Sequence, residues 1–229
     1  MFRLKGEPFD LEALVELFPG VVLKKKTGHY VQLSSCDEMP DTEALQHASD
    51  ELAQMNGIAG LHHGNHRRIT IDGITRTDPV TGEFTTALLP QCRIEGRALT
   101  RGKVTVRLIK DGIQITAPTP VPTFGEKARK IANKNGPFSK ALKYLGNEGD
   151  TFPGLYKVWE YIKKGNGGLN GIVRKGWDSR YEIGRFTGSA QEDRHGEKRS
   201  DMTAPEMTLP EAQAFIRKLI VVWGKELGW

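Results

Sequence analysis

Cysteine is nearly absent: Cys36 and Cys92 stand alone, with neither a metal-ligand spacing nor a disulfide framework, and reduced thiols are expected. No apolar run approaches the roughly 20 residues that a membrane-spanning helix needs. The opening residues, MFRLKGEPFD, lack the apolar segment of a signal peptide. These absences lead to the expectation of a cytoplasmic protein without a membrane partner. Internal repeats and low-complexity tracts are missing as well. So are the GxGxxG and GxxxxGK[ST] phosphate loops. Gly165-Asn166-Gly167-Gly168 has no strand before it and is expected to be a turn between helices, while the isolated serines, Ser34 and Ser35 among them, lack a nucleophile-elbow context. No cofactor is expected.

What the chain does have is length for a proper core, 229 residues with ordinary hydrophobic and charged content, 38% and 27%. Its net charge of +5 is unevenly spread. From Phe124 onward there are 19 Lys and Arg against 13 Asp and Glu, whereas the residues before carry 14 against 15. The whole basic excess lies in the C-terminal half, which permits an anionic partner there or simply makes a solvated basic face.

Taken in order, the pattern predicts a short helix from Asp10 through Leu17, then a β-hairpin of Val21–Leu23 and Tyr30–Leu33 around Lys24-Lys25-Lys26-Thr27-Gly28. Asp41 is expected to cap a helix carrying Leu45, Ala48, Leu52 and Met55, with Asn56-Gly57 as its stop. Period-two alternation follows: Ile69, Ile71 and Ile74, then Phe84 and Leu88 beyond the turn at 78–82, then Val104, Val106 and Leu108 before Asp111-Gly112, and Ile113 and Ile115 after it. Three prolines at alternate positions, Pro118, Pro120 and Pro122, predict an extended connector.

Beyond the connector the apolar period becomes helical. Pro137 opens one helix, Leu155, Val158, Trp159 and Ile162 stripe the next, and Asp178 is expected to cap one with Tyr181, Ile183 and Phe186. Thr208-Leu209-Pro210-Glu211 is a capping box before Ala212, Phe215, Ile216, Leu219, Trp223 and Leu227. The expected fold is α+β: an antiparallel β-meander with one or two helices at 1–117, a Pro-rich connector at 118–123, and a bundle of four or five helices at 124–229 able to fold by itself.

Three constellations could carry chemistry. His62, His63 and His66 are close enough to share a transition metal with a fourth ligand from elsewhere, but they read as loop residues beside Arg67 and Arg68, whose charge opposes a cation; no metal is expected. Arg67, Arg68, Arg93, Arg97, Arg101, Lys103 and Arg107 lie on or near the meander, where a shared face would contact phosphates or merely be solvated. The third lies in the polar run Arg185–Gly196, RFTGSAQEDRHG, which holds the only histidine of the C-terminal half. Histidine moves protons near neutral pH and arginine offers a charged fork to phosphate. His195 is therefore a candidate general base or acid for metal-free cleavage of an RNA phosphodiester, with Arg194 and Arg185 holding the phosphate and Glu160 orienting the cations. Surface pairing of Arg194 and His195 with nearby acids is the plainer alternative.

The combination of Leu155-Tyr156-Lys157-Val158-Trp159-Glu160, Arg185-Phe186-Thr187, Arg194-His195-Gly196 and a closing amphipathic helix from Thr208 resembles the C-terminal part of uncharacterised bacterial proteins whose helical portion is similar to HEPN domains. The resemblance covers roughly 90 residues. It implies a helical bundle, frequently dimeric, that cleaves RNA without metal in defence or stress systems, with Glu160 in the acidic position and His195 as the histidine. In that family four to six residues intervene between the arginine and the histidine; here the corresponding positions are Gly188, Ser189 and Ala190. Two functions are thus expected of such a chain: RNA cleavage or RNA binding by the bundle, or a non-catalytic adaptor that docks nucleic acid or a protein, the latter through the β-rich part.

Overall fold

The computed structural model describes residues 1–64, 66–77, 84–88, 109–110, 113–114, 122–195 and 205–229. It is an α+β protein with its strands at the N-terminal end and its helices mostly after residue 122. The chain starts in a strand, β1 (Phe2–Lys5), followed by α1 (Pro8–Leu17) and the hairpin β2 (Val22–Lys25) and β3 (Gly28–Val31). A 3-10 turn at Ser34–Cys36 leads into the long α2 (Asp41–His63), after which come β4 (Thr70–Thr77) and β5 (Phe84–Leu88). These five strands form one antiparallel sheet in the order β2-β3-β1-β4-β5. The first strand is thus the central one. Phe2 and Leu4 face the core while Arg3 and Lys5 alternate outward, the two-residue period of a half-buried strand. A small hairpin, β6 (Ile109–Lys110) and β7 (Ile113–Gln114), falls where the alternating pattern predicted one. The expected turn at 78–82, the run Val104–Leu108, the Asp111-Gly112 turn, Ile115, and the connector through Val121 lie outside the described residues.

Two expectations for the N-terminal part change. Asp10 lies within α1 rather than at its start, and it is buried. Asn56-Gly57 does not stop α2, which runs on to His63 and ends at Gly64 with a positive φ of 76°. Both residues are kept in mid-helix by tertiary packing. Asn56 makes hydrogen bonds to the segment before β4, and Gly57 lets α2 touch α4. A Cβ at Gly57 would run into the Leu142 carbonyl, and one at Gly146 into the Ala53 carbonyl, so the two helix backbones are in direct contact.

The C-terminal helices are α3 (Phe124–Ala132), α4 (Gly136–Glu148), α5 (Phe152–Gly165), α6 (Gly168–Arg174), α7 (Arg180–His195) and α8 (Leu209–Glu226). Their starts follow from side-chain capping. Thr123 and Glu126 make a capping box, as do Thr208 and Glu211, while Asn135 and Thr151 accept from the amides of Phe138 and Gly154. At α7 the capping oxygen is Ser179 Oγ, which accepts from the Glu182 amide, and Asp178 pairs instead with Lys218. Gly167 and Gly168 have φ of 72° and 75° and break the chain between α5 and α6, as their clustering predicts.

The core is continuous from Phe2 to Trp223. Phe138, Ala141 and Leu142 of α4 pack beneath α2. At the other side of the bundle, Trp159 of α5, Phe186 of α7 and Phe215 of α8 meet ring to ring, the last two stacked at 5.2 Å. Thr123, at the end of the expected connector, donates its hydroxyl proton to the Leu17 carbonyl of α1. Apolar contact therefore crosses from the N-terminal elements into the helices rather than stopping near residue 118. No helix among the described residues is long and apolar enough to cross a membrane.

Candidate functional site

The polar run from Arg185 is helical as far as His195, where α7 ends. Helix α7 hides Phe186, Gly188, Ser189 and Ala190 on its inner side, so the small residues that occupy the positions of the family's arginine are packing residues. Ser189 Oγ accepts from the Met207 amide at 2.8 Å and donates to the Arg185 carbonyl. Arg185 is itself committed: Nε donates to the Pro205 carbonyl at 2.9 Å, Nη2 to that of Glu206, and Nη1 pairs with Glu182 at 3.1 Å. The guanidinium thereby ties the segment entering α8 to α7.

Arg194 and His195 sit in the last turn of α7 and are described by their backbone alone. Arg194 lies nine positions beyond Arg185, about 900° of helical rotation and about 13 Å of rise, so the two Cα atoms are on opposite sides of the helix. Glu160 is exposed on α5 and pairs with Lys163 at 2.6 Å. The described contacts bring neither Glu160 nor Arg185 to a common anion.

An arginine-lined cleft lies elsewhere, between α2, the chain after it, the C-terminal end of α4, and α8. It encloses about 320 Å³ and is lined by Arg67, Arg68 and Arg217, with Asp150 as its acidic residue. Its scaffold begins at Asn56, buried in α2. The Asn56 amide donates to the Ile69 carbonyl at 2.8 Å, and its Oδ1 accepts from the Ile69 amide at 3.1 Å. The same Oδ1 is 3.0 Å from His66 Nε2; an amide oxygen only accepts, so Nε2 carries a proton. The other ring nitrogen, Nδ1, faces Asp10 Oδ1 at 3.2 Å, with both side chains almost fully buried. Asp10, His66 and Asn56 thus link α1, the 66–68 segment and α2, and they fix the backbone from which Arg67 and Arg68 project. His62 and His63 end α2 rather than lying in a loop; their rings meet at 4.7 Å and His62 packs against Phe124, whereas His66 is turned to Asn56 and Asp10. Among the described residues no group of three His, Cys, Asp or Glu could hold a metal.

The three arginines differ in how far they are satisfied. Arg68 is exposed and donates to the Asn147 carbonyl at 3.3 Å. Arg67 meets Glu7 through Nη1 at 3.5 Å, leaving a buried Nη2 without a hydrogen-bond partner. Arg217 is half-buried on α8 with its Nε likewise buried and unpartnered, and it has no carboxylate partner among the described residues. Burial alone pushes its pKa down from the ordinary arginine value. A guanidinium taken from water without a counter-charge is costly, and an anion in the cleft would offset that cost.

Arg67 and Arg68 figure among the basic residues expected to meet phosphate, although they precede β4 instead of lying on a strand face. The remaining basic positions of that expectation, Arg93, Arg97, Arg101, Lys103 and Arg107, lie outside the described residues. Arg217 is not foreseen. Its signal is the pair Gln213 and Arg217, one turn apart on α8, with Gln213 bonded to the Gly149 carbonyl at the cleft.

Comparison with protein-family models, with curated proteins and with solved structures finds no match.

Proposed function

We propose that this protein binds RNA by its phosphates, and that the Arg67–Arg68–Arg217 cleft is the contact surface. One observation carries the reading. Arg217 is desolvated without a carboxylate partner among the described residues, and it faces a cavity that two further guanidiniums line. Such an arrangement favours a polyanion over a cationic or neutral ligand because each phosphate supplies the missing counter-charge and a pair of acceptor oxygens that match the guanidinium fork. RNA is the polyanion that the HEPN-like resemblance implies. The test is fluorescence anisotropy with single-stranded RNA, comparing the wild type with Arg217→Gln.

Cleavage at His195 is the second reading. It is favoured by the packing of α5, which carries Glu160, against α7, which carries Arg194 and His195. In this reading the bundle would act as a metal-independent ribonuclease in defence, with a dimer completing the site. The discriminating experiment is RNA turnover by His195→Ala: a folded variant that still cleaves would remove His195 from any catalytic role.

A further inference from the structure

We infer that the cleft takes a phosphomonoester, the phosphorylated end of a single RNA strand, and that the adjoining base lies over the Tyr144–Tyr161 pair. This rests on the RNA-binding reading above and adds to it which part of the strand is held.

Charge and enclosure select an end. Three arginines against Asp150 leave the lining at +2, with exposed Glu7 reaching Arg67 only from outside the lining. An internal phosphodiester carries one negative charge, whereas a phosphomonoester carries about −1.5 to −2 near neutral pH. The doubly charged group is the better electrostatic complement. The wall includes Gly146, at the point where α2 and α4 are in backbone contact, so a strand cannot pass through that side. A terminal phosphate can enter the cleft from its open mouth, whereas a phosphate with chain on both sides must lie across that mouth, farther from the closed wall at Gly146.

The aromatic pair gives the strand a direction. Lys140, Tyr144 and Asn147 fall at spacings of four and three on α4, one stripe of that helix. Asn147 lines the cleft and accepts from Arg68, and Tyr144 is one turn, about 5 Å, along the axis. Tyr144 stacks on Tyr161 of α5 with centroids 5.5 Å apart and planes 18° apart. Lys157 lies 5.2 Å from the Tyr144 centroid and Lys140 5.7 Å from that of Tyr161, so each ring has an ammonium beside it. Both lysines are exposed, on flexible stems. A base can take the place of either ammonium on its ring, and the released lysine then meets the backbone phosphate. Glu148, which pairs with Lys157 at 2.8 Å, is the acid this exchange must displace.

The experiment uses the full chain and short single-stranded RNAs of one sequence bearing a 5′-phosphate, a 3′-phosphate or hydroxyls at both ends, with a nucleoside monophosphate and inorganic phosphate as competitors. Expected is at least about a tenfold preference for one phosphorylated end, the scale of one charge-assisted hydrogen bond. Arg217→Gln abolishes that preference, as does the exposed Arg68→Gln, which carries the test if the first variant fails to fold. Tyr144→Ala weakens the strand but not inorganic phosphate.

Equal binding of phosphorylated and hydroxyl-ended strands would overturn the end-recognition proposal while leaving RNA binding intact. Absence of binding to all the strands would remove both. Inorganic phosphate that matches the strand in affinity would overturn the tyrosine platform and leave a small phosphate as the ligand, and a nucleoside monophosphate that matches it would overturn the strand as the ligand.

Discussion

Asn56 grips Ile69 by both of its main-chain groups, replacing a strand neighbour with a side chain from the middle of a helix. The pairing sets the start of β4 against α2 and holds His66 at the same amide oxygen. A dipeptide that reads locally as a helix stop is in fact a tertiary anchor.

The first prediction follows directly. Asn56→Ala leaves a buried amide and carbonyl of Ile69 and the His66 ring without their partner, and each unsatisfied group costs about 1–3 kcal/mol. A loss of at least about 3 kcal/mol is expected in denaturant unfolding. A loss within the range of ordinary surface substitutions would mean that the clamp carries little of the stability.

Two glycines of α2 are expected to respond in opposite ways to the same change. Gly57→Ala drives a methyl into the Leu142 carbonyl and costs roughly 3 kcal/mol as an overpacked contact between backbones. Gly60→Ala meets nothing within 4 Å, and removing a mid-helix glycine stabilises by about 0.5–1 kcal/mol. Thermal melting of the pair checks this, and a Gly57→Ala variant that melts no lower than the wild type would contradict the close α2–α4 contact.

Acid sensitivity is the next expectation. Hydrogen bonds from the backbone and hydroxyl of Thr208 hold the Glu211 carboxyl below its ordinary value of 4.5, and the Lys24 ammonium does the same for Glu12, joined by His29. A lowered carboxylate contributes stability that is present above the unfolded value and is lost as pH falls through the folded one. The melting temperature is therefore expected to decline as pH drops below about 4.5, with Glu211→Gln showing a shallower decline than the wild type. Identical profiles for the two would argue that the α8 capping box does not contribute.

Much of this fold is legible from periodicity. The apolar stripes of α2, α4, α5 and α8 each predict a buried face, and the Thr208–Glu211 box marks the start of α8 to the residue. The strand β1 is harder to see because four residues, FRLK, carry only two alternations, yet its pairing on both sides makes it central. Helix α7 is hidden for a different reason: its inner face uses Gly188, Ser189 and Ala190, which contribute closeness rather than hydrophobicity. The cleft is the least legible feature. Its guanidiniums come from residues 67–68 and 217, brought together only by the α2–α4 crossing and the docking of α8. Sequence neighbourhood pointed instead to Arg185, whose three hydrogen-bonding nitrogens are already engaged with Pro205, Glu206 and Glu182.

The proposed binding of RNA phosphates by Arg67, Arg68 and Arg217 is tested most directly by the salt dependence of single-stranded RNA affinity in the wild type and in Arg217→Gln. Affinity is expected to fall with salt, the variant to bind about tenfold more weakly, and its log–log salt slope to be shallower by about 0.7, the loss of one phosphate contact. Equal affinity and equal slope for the two proteins, or no RNA binding by the wild type, would contradict it.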